Sequence, residues 1–326
     1  MKRSMVWSVV LFVGVAMLLA CLSTAGCPKK EEPTTGGGVV AGPSTHAGPA
    51  GPSKASAGGK YYCIGISTGA EYWGATKAGM ADAAEELGVE QEFQGPSGQN
   101  AAEQADTMDQ ILASKPAGIL VAPGSPEVLT PVIDRAIAQG IPVICIDTDA
   151  PKAKRIAYFG TDNYNAGRKG AEILARLIGA KGQVAISSRP GQWNLDERVR
   201  GYKEYFAEKA PGVKVVQVID DETKQEAGEK QASSVLTSYP DIAGFAGVNA
   251  VSGLGIASAI RGQGKMGKVK VVAMDGDAGI LDLVQEGLID ASIAQRQYWM
   301  SYIGLMYLYG LNNGFFAKPR EGAKAT

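Results

Sequence analysis

The octapeptide VICIDTDA at residues 143–150 is echoed by VVAMDGDA at residues 271–278, and this pair decides the fold. In each copy an apolar run leads into an aspartate. Each copy also follows a proline-ended helical segment and a short apolar strand, in the same order. Such a duplicated unit predicts two similar lobes. Because ligands bind outside the carboxyl ends of the strands in open parallel sheets, we expect Asp147 and Asp275 to face each other across a gap.

Short apolar runs alternate with segments of helical periodicity from Lys60 onward. Nearly continuous apolar strands are typical of parallel sheets whose two faces are both covered by helices. Gly88, Gly140 and Gly179 stand at predicted helix ends, where a left-handed residue is favoured. The predicted fold class is therefore α/β, with two doubly wound parallel-sheet lobes. The predicted strands are residues 61–67, 89–94, 118–122, 143–147, 156–161, 183–187, 214–220, 244–248, 269–274 and 290–294.

The first residues predict export from the cytoplasm. A basic pair at residues 2–3 precedes an apolar run over residues 5–22, which is the pattern of an export signal. The run ends in small residues before Cys27, and this arrangement resembles the lipobox of a bacterial lipoprotein. We therefore predict a lipoprotein signal peptide over residues 1–27 with lipidation at Cys27. Cys21 is the alternative lipidation site, and a plain cleaved signal or an uncleaved anchor helix is the alternative to lipidation.

Residues 28–59 predict a flexible tether. They are rich in Gly, Pro, Ser, Ala and Thr and have almost no large apolar side chain, so they cannot bury enough surface to offset their ordering entropy. As a flexible coil the segment reaches on the order of 30 Å. The expected location is the periplasm or the outer face of the cytoplasmic membrane, with a lipid anchor in the membrane.

The composition argues against catalysis and against nucleic-acid binding. The only histidine, His46, lies in the predicted tether, which excludes most Ser-His or Cys-His nucleophiles and His-ligated metal sites from the folded part. The G-x-S-x-G pattern at residues 65–69 lacks the histidine that a hydrolase needs. A net charge of −1 does not indicate a basic face. Cys63 and Cys145 lie in apolar strands and are expected to be buried thiols. No catalytic residue, metal or cofactor is predicted.

Aromatic and polar side chains follow the first strand of each half. Tyr72 and Trp73 come after the first strand of the chain, and Trp193 and Asn194 occupy the matching place in the second half. A flat aromatic face can stack on the apolar surface of a sugar ring, and the alternative is ordinary hydrophobic packing. Arg198 lies one helical turn beyond Asn194, so both can point to the same edge of a cleft. The alternative for Arg198 is a solvated surface position.

These segments together resemble the periplasmic sugar-binding proteins of the ribose/galactose type, which are related to the ligand-binding core of lac-repressor-like regulators. The resemblance covers residues 60 to about 316. The segments that carry it are residues 64–67, 72–73, 77–79, 141–144, Asp147, residues 160–163, Gly167, residues 198–202, Asn249, residues 271–276 and residues 293–295.

The resemblance implies a receptor of the periplasmic binding protein type I fold, in which two lobes joined by a hinge close on a small polyhydroxylated ligand. The first lobe would comprise residues 60–161 plus 296–318, and the second would comprise residues 162–295. Such a receptor is expected to be a monomer that binds a monosaccharide or polyol and hands it to an ABC transporter permease. Members usually continue in a further strand where this chain ends at Thr326, so one of three hinge crossings is expected to be absent or irregular.

The resemblance also implies roles for individual side chains. Tyr72 and Trp73 match stacking aromatics, and Arg198 matches a donor to ring or hydroxyl oxygens. Thr148 stands where ribose binders carry an arginine, so ribose itself is not the expected ligand. The complete set of candidate ligand-binding residues is Ser67, Tyr72, Trp73, Asp147, Thr148, Trp193, Asn194, Arg198, Glu222, Asn249, Asp275 and Gln295.

Two other functions remain open at this level. The same sugar receptor could act as a sensor that docks on a chemoreceptor or kinase. A more remote alternative is a glycosidase that uses carboxylates alone. A cytoplasmic regulator is disfavoured, because a signal and a tether occupy the place of a DNA-binding domain.

Overall fold

The computed structural model describes residues 59–317. The predicted signal peptide with Cys21 and Cys27, and the predicted tether apart from its last residue, lie outside this range. None of the helices in the range is long and apolar enough to cross a membrane. The strands are β1 (Lys60–Ile64), β2 (Glu90–Gln94), β3 (Gly118–Val121), β4 (Val143–Asp147), β5 (Ala157–Gly160), β6 (Lys181–Ser188), β7 (Gly212–Asp220), β8 (Gly244–Gly247), β9 (Lys270–Met274) and β10 (Ala291–Ile293). The helices are α1 (Trp73–Leu87), α2 (Ala101–Ala113), α3 (Pro126–Ala138), α4 (Asn163–Leu177), α5 (Trp193–Lys209), α6 (Gln225–Ser238), α7 (Ser252–Gly262), α8 (Ala278–Gln285) and α9 (Gln297–Asn312).

The strands form two five-stranded parallel sheets with the same internal order. The first sheet runs β2-β1-β3-β4-β5 and the second runs β7-β6-β8-β9-β10. When the second set is numbered from its own first strand, both sheets have the order 2-1-3-4-5, which is a common doubly wound arrangement. The repeated sequence pattern therefore corresponds to a repeated topology, and the predicted α/β class with two parallel-sheet lobes is confirmed.

Alternate residues of each strand point to opposite layers of helices. In the first lobe Cys63 and Ile146 pack in one apolar cluster with residues of α1 and α9, while Ile64 and Cys145 pack in another with residues of α2 and α3. This alternation follows from the two-residue period of a strand and explains why the strands read as continuous apolar runs. Both cysteines are buried free thiols, as their apolar surroundings predict.

The chain crosses between the two sheets twice within the described range. The first crossing, at residues 161–162, leads from β5 into α4, and the second, at residues 294–296, leads from β10 into α9. Helix α4 packs on the second sheet, whereas α9 returns to pack on β3, β4 and β5. The Thr161 hydroxyl donates a hydrogen bond to Gln295 Oε1 at 2.7 Å, so the two crossings are tied to each other.

Helices α4 and α5 pack closely at two glycines. A Cβ atom on Gly167 would lie 2.1 Å from the Arg198 carbonyl oxygen, and one on Gly201 would lie 2.2 Å from the Tyr164 carbonyl oxygen. Real Cβ contacts are never this short, so only glycine permits the two backbones to approach in this way. The backbone of α5 at Arg198 is thereby fixed against the first turns of α4.

The lobes differ between their fourth and fifth strands. In the second lobe α8 fills this connection, whereas in the first lobe residues 148–156 form an irregular loop. The buried carboxylate of Asp149 pairs with the guanidinium of Arg155 inside this loop. The same D-x-D-A pattern therefore ends in a helix in one lobe and in an ion-paired loop in the other.

Candidate functional site

Asp147 and Asp275 occupy equivalent positions in the two lobes. Asp147 is the last residue of β4, and Asp275 directly follows β9. Both adopt a left-handed backbone conformation, with φ of 63° and 76°. The Tyr158 hydroxyl donates to the Asp147 carbonyl oxygen at 2.8 Å, and the Ser292 hydroxyl donates to the Asp275 carbonyl oxygen at 2.6 Å. Left-handed non-glycine residues are uncommon. In each lobe, then, a hydroxyl from the fifth strand stabilises the same unusual turn.

The two carboxylates are linked through two side chains. The Tyr72 hydroxyl donates to Asp147 Oδ1. Gln295 Nε2 donates to the Tyr72 oxygen at 3.2 Å and to Asp275 Oδ1 at 2.7 Å. Tyr72 belongs to the first lobe, whereas Gln295 lies in the second crossing. The structure thus brings Asp147 and Asp275 into one hydrogen-bonded network between the lobes.

Arg198 is the cation of this network and is only 2% exposed. Its Nε donates to Asn163 Oδ1 at 2.9 Å, its Nη1 donates to the Val248 carbonyl oxygen at 2.8 Å, and its Nη2 donates to Gln295 Oε1 at 2.8 Å. A guanidinium carries five N–H donors, so two remain for other acceptors. This burial excludes the solvated surface position that the sequence left open.

Burial disfavours the charged forms of the acidic groups in the network. It raises the pKa of the Asp275 carboxyl to about 7, although Arg198 and the hydrogen bond from Gln295 both lower it. Burial also raises the pKa of the Asp147 carboxyl, and the hydrogen bond from Tyr72 opposes that shift. The pKa of the Tyr72 hydroxyl is well above its usual value, through burial first and then through the two nearby carboxylates. Tyr72 is therefore a hydrogen-bond donor at every physiological pH.

A cavity of about 110 Å³ lies between the lobes beside this network. One water molecule needs only about 10–15 Å³ measured in the same way, so the space suits a small solute. The structure brings nine of the twelve candidate residues to its lining: Ser67, Tyr72, Trp73, Asp147, Asn194, Arg198, Asn249, Asp275 and Gln295.

The remaining three candidates do not line the cavity. Thr148 is completely buried, and its hydroxyl has no partner among the described residues. Trp193 packs edge-on against Tyr158, with ring centroids 5.9 Å apart. The exposed Glu222 carboxylate pairs with Lys224 at 3.1 Å. All three residues follow strand ends, as the sequence predicts. The directions of their side chains, however, are set by local turns that the sequence pattern does not specify.

Trp73 both packs in the first lobe and borders the cavity. It is 3% exposed, and its ring contacts Phe93 at a centroid distance of 5.8 Å. Tyr72 meets it edge-on at 5.1 Å. The packing and stacking interpretations of this aromatic pair are therefore compatible, because Trp73 packs on Phe93 in the first lobe while both aromatic residues also border the cavity.

Two asparagines of the lining, Asn249 and Asn194, differ in whether their side-chain oxygens have hydrogen-bond partners. Asn249 Oδ1 accepts from the backbone N–H groups of Val251 and Ser252 at 3.0 and 2.9 Å, and its Nδ2 donates to the buried Asp221 carboxylate at 3.0 Å. Asn194 is 3% exposed, yet its Oδ1 has no partner among the described residues. Asn194 thus borders the cavity while its Oδ1 is a buried acceptor, whereas Asn249 mainly supports the local backbone.

Sequence reasoning missed three polar residues of the lining. Gln99, Gln192 and Thr223 all border the cavity. Each lies in the connection that follows a strand, namely β2, β6 or β7. The rule that ligands bind at the carboxyl ends of parallel strands could have found them. Residues 59–317 contain no group of His, Cys, Asp and Glu side chains suited to a metal ion.

The cavity lining contains both hydrogen-bond donors and acceptors. Asp147 and Asp275 supply carboxylate acceptors, while Arg198 retains two donors. Neutral hydroxyl groups both donate and accept, so they suit this lining at several points. The arrangement is chemically fitted to bind a polyhydroxylated molecule.

The chain is similar to known proteins over most of its length. The sequence pattern of the periplasmic binding protein domain matches residues 62–315. The D-ribose/D-allose-binding protein of Pseudomonas aeruginosa is 30% identical over 58% of this chain, and the match spans 60% of that protein. The D-allose-binding periplasmic protein of Escherichia coli is 30% identical over 72% of this chain and 78% of its own length.

A solved structure gives the same result at the level of the fold. A sugar-binding protein of a sugar ABC transporter from Bacillus halodurans superposes with a TM-score of 0.75 and 34% identity, covering 79% of this chain and 89% of that one. These relatives are binding proteins, not enzymes, and the family is extracytoplasmic. The duplicated sheets, the cavity between them and these similarities agree. The chain belongs to the periplasmic binding protein family.

Proposed function

We propose that this protein is a solute receptor that binds a monosaccharide or related polyol between its lobes and delivers it to an ABC importer. The observation that carries the proposal is the network joining Asp147 and Asp275, one from each repeated half, at the edge of the shared cavity. A ligand that hydrogen-bonds to both carboxylates would hold the two lobes together. No bond in the ligand needs to be made or broken.

The energetics of the site suit a ligand of this kind. Hydrogen bonds that involve a charged group contribute about 1.5–3 kcal/mol each. Asp147, Asp275 and Arg198 offer several such bonds, and Tyr72 with Trp73 adds an aromatic surface at the lining. A micromolar complex requires about 8 kcal/mol in total. A few charged hydrogen bonds and one stacking contact reach that value.

The relatives narrow the ligand class to small sugars. Their names refer to D-ribose, D-allose and sugar transport. Thr148 lacks the guanidinium that the resemblance places there in ribose binders, and the Thr148 side chain does not reach the cavity. We therefore propose that the ligand is a sugar or polyol other than ribose.

The finer organisation of the chain is part of the same proposal. Residues 60–161 with 296–318 form the first lobe and residues 162–295 the second, consistent with α4 packing on the second sheet and α9 on the first. Residues 1–27 are the signal peptide, and Cys27 carries the lipid that anchors the receptor, with residues 28–59 as tether. The receptor acts as a monomer, and its protein partner is the permease of the importer.

A thermal-shift screen tests the proposed ligand class. The purified full-length protein in mild detergent is heated with pentoses, hexoses, deoxysugars and polyols in turn. We expect at least one to raise the melting temperature in a concentration-dependent way, because a ligand that binds only the folded state stabilises it. The absence of a shift with every member of the panel would contradict the proposal.

The two rival functions have separate tests. Turnover of glycosides by the purified protein would indicate a glycosidase. Binding of a purified sugar-loaded receptor to a sensor domain rather than to a permease would favour the sensor. Names of relatives that refer to ABC transport favour the importer.

A further inference from the structure

Arg189 connects three segments at the rim of the cavity. It directly follows β6 and is partly buried. Its Nη1 lies 3.1 Å from Gln99 Oε1, 3.2 Å from Thr223 Oγ1 and 3.3 Å from the Glu222 carbonyl oxygen. Glu222 and Thr223 belong to the second lobe with Arg189, whereas Gln99 belongs to the first. The guanidinium is therefore held by one lobe while it donates to the other.

The turn that holds Arg189 has an unusual backbone. Glu222 and Thr223 both have positive φ values, 51° and 53°. Two consecutive left-handed residues are uncommon, and a β-branched threonine in this region is a genuine outlier. Such strain costs on the order of 1–3 kcal/mol and persists only where surrounding contacts impose it, which is frequently at functional sites.

Two aspartates impose this conformation. Asp220 Oδ1 accepts from the Glu222 N–H at 2.8 Å, and Asp221 Oδ1 accepts from the Thr223 N–H at 2.9 Å. Asp221 is completely buried and also accepts from the Ser187 hydroxyl at 2.8 Å. The turn is therefore anchored in the interior of the second lobe, so that the acceptors for Arg189 are fixed before any contact with Gln99.

Gln99 is also held by its own lobe. It lies in the loop between β2 and α2, next to Asn100. Asn100 caps α2, because its Oδ1 accepts from the N–H groups of Ala102 and Glu103 at 3.0 and 3.2 Å. Other side-chain hydrogen bonds between the lobes in residues 59–317 involve Gln295 or Asn163, at or beside the crossings. The Arg189–Gln99 bond is the one such bond in this range that is independent of the crossings.

We propose that Arg189 and Gln99 form a clasp that holds the two lobes closed over the bound solute and slows its release. This inference rests on the proposed receptor function. Gln99 and Thr223 line the cavity but Arg189 does not, so Arg189 is a positioning residue that acts on ligand release through Gln99. The clasp is formed by the lobes themselves and needs no contact between the ligand and Arg189.

Hydrogen–deuterium exchange of the full-length protein without sugar tests the clasp directly. For Arg189→Ala we expect backbone exchange in the first-lobe loop, residues 95–100, to become about twofold to tenfold faster, the range given by one hydrogen bond. Arg200→Ala is the matched control, because this exposed arginine of the same lobe pairs with Glu197 and Glu204 on its own helix and lies over the Tyr164 ring of the same lobe. Faster exchange confined to the second lobe would overturn the proposal, since a merely structural arginine acts only within its own lobe.

A strengthening variant gives the opposite prediction. Gln99→Glu places a carboxylate opposite Arg189, so exchange at residues 221–224 should slow, and this effect should vanish in the Arg189→Ala background. Release of the sugar that gives the largest thermal shift should be about twofold to tenfold faster in Arg189→Ala and slower in Gln99→Glu. Unchanged release rates in both variants would contradict the clasp even if sugar binding itself is confirmed. If no sugar binds, the receptor proposal fails, while the exchange experiment still decides whether the clasp exists.

Discussion

The same aspartate has different partners in the two lobes. Asp147 and Asp275 share the end of the fourth strand, the left-handed backbone and a hydroxyl from the fifth strand on their carbonyl oxygens. The Asp147 carboxylate, however, accepts from Tyr72 in the wall of its own lobe, whereas the Asp275 carboxylate accepts from Gln295 in a crossing between lobes. One carboxylate is thus bonded within its own lobe and the other to a segment that connects the two lobes.

This difference teaches how a duplicated fold can acquire distinct halves. The repeated topology fixes where both backbones place an aspartate, but the side chains that bond to the two carboxylates come from positions that are not equivalent in the two halves. Tyr72 directly precedes helix α1 of the first lobe, and Gln295 follows β10, the last strand of the second sheet. We therefore expect Asp147 to matter more for the stability of the sugar-free protein and Asp275 to respond more to pH.

We expect the largest loss of stability from a change at Arg198, the residue that lowers the pKa of both aspartates. Arg198→Ala removes the buried cation that lowers the pKa of both carboxyls. It also takes one donor from Asn163 Oδ1, from the Val248 carbonyl oxygen and from Gln295 Oε1, of which Gln295 Oε1 keeps the Thr161 hydroxyl. Removing one partner of a buried charged network costs about 3–5 kcal/mol. Urea unfolding of the sugar-free protein should show a loss of this size. A loss below about 1 kcal/mol would be typical of an exposed ion pair and would contradict the central position of Arg198.

The second effect separates the two aspartates. Asp147→Ala and Asp275→Ala should each weaken sugar binding by about tenfold to 150-fold, because each removes a charged hydrogen bond worth about 1.5–3 kcal/mol. In the sugar-free protein, Asp147→Ala should be less stable than Asp275→Ala by about 1–3 kcal/mol. The reason is that the buried Tyr72 hydroxyl loses its acceptor, whereas Gln295 Nε2 keeps Tyr72 as a partner when Asp275 is removed.

Calorimetric titration and urea unfolding measure these two quantities independently. Asp241→Ala is a suitable control, since Asp241 is exposed and lies away from the cavity lining. Equal stability of the two sugar-free variants would show that Asp147 and Asp275 contribute equally to folding and would contradict the proposed difference between them. Retained sugar binding in Asp275→Ala would refute its role as a ligand contact.

The third effect concerns the dependence of stability on pH. The folded protein binds a proton at Asp275 with a pKa of about 7, against an ordinary value of 3.8. Between these values the folded state holds more protons than the unfolded state, so the contribution of Asp275 to stability is complete below pH 3.8 and is lost as pH rises through 7. The loss amounts to at most about 1.4 kcal/mol per pH unit. Asp275→Asn should flatten this dependence of the sugar-free protein more than Asp147→Asn does.

Urea unfolding at several values between pH 5 and pH 8 measures this slope. The stability of the wild-type protein should fall across that range, and part of the fall should remain in Asp275→Asn because burial also raises the pKa of Asp147. A slope that is the same in wild type and Asp275→Asn would contradict the assigned titration.

The sequence predicts the backbone of this molecule better than its side-chain contacts. Strand β4 is predicted with its observed ends, and β6 differs by one or two residues at its ends. The positive φ of Gly88, Gly140 and Gly179 follows the prediction as well. Apolar periodicity and glycine positions encode these features locally, since burial on both faces requires a continuous apolar strand.

Side-chain direction depends on turns that no pattern specified. The sequence predicts Glu222 as a ligand-binding residue. In the structure its left-handed backbone leaves the carboxylate exposed, and the neighbouring Asp221 is the buried acceptor. Thr148 and Trp193 likewise follow strand ends without reaching the cavity. Gln99 and Thr223, in contrast, line the cavity. Both lie in connections between strands and helices, where sequence periodicity carries no information about side-chain direction.

The close contact of α4 with α5 has a mechanical consequence. Helix α4 starts directly after the first crossing, and Gly167 and Gly201 leave no space between its backbone and that of α5 at Arg198. A shift of α4 would therefore have to displace the α5 backbone at Arg198 as well, because no gap separates the two helices there. A single methyl group at position 167 would force these helices apart and would move the Arg198 guanidinium away from Asn163, its acceptor on α4.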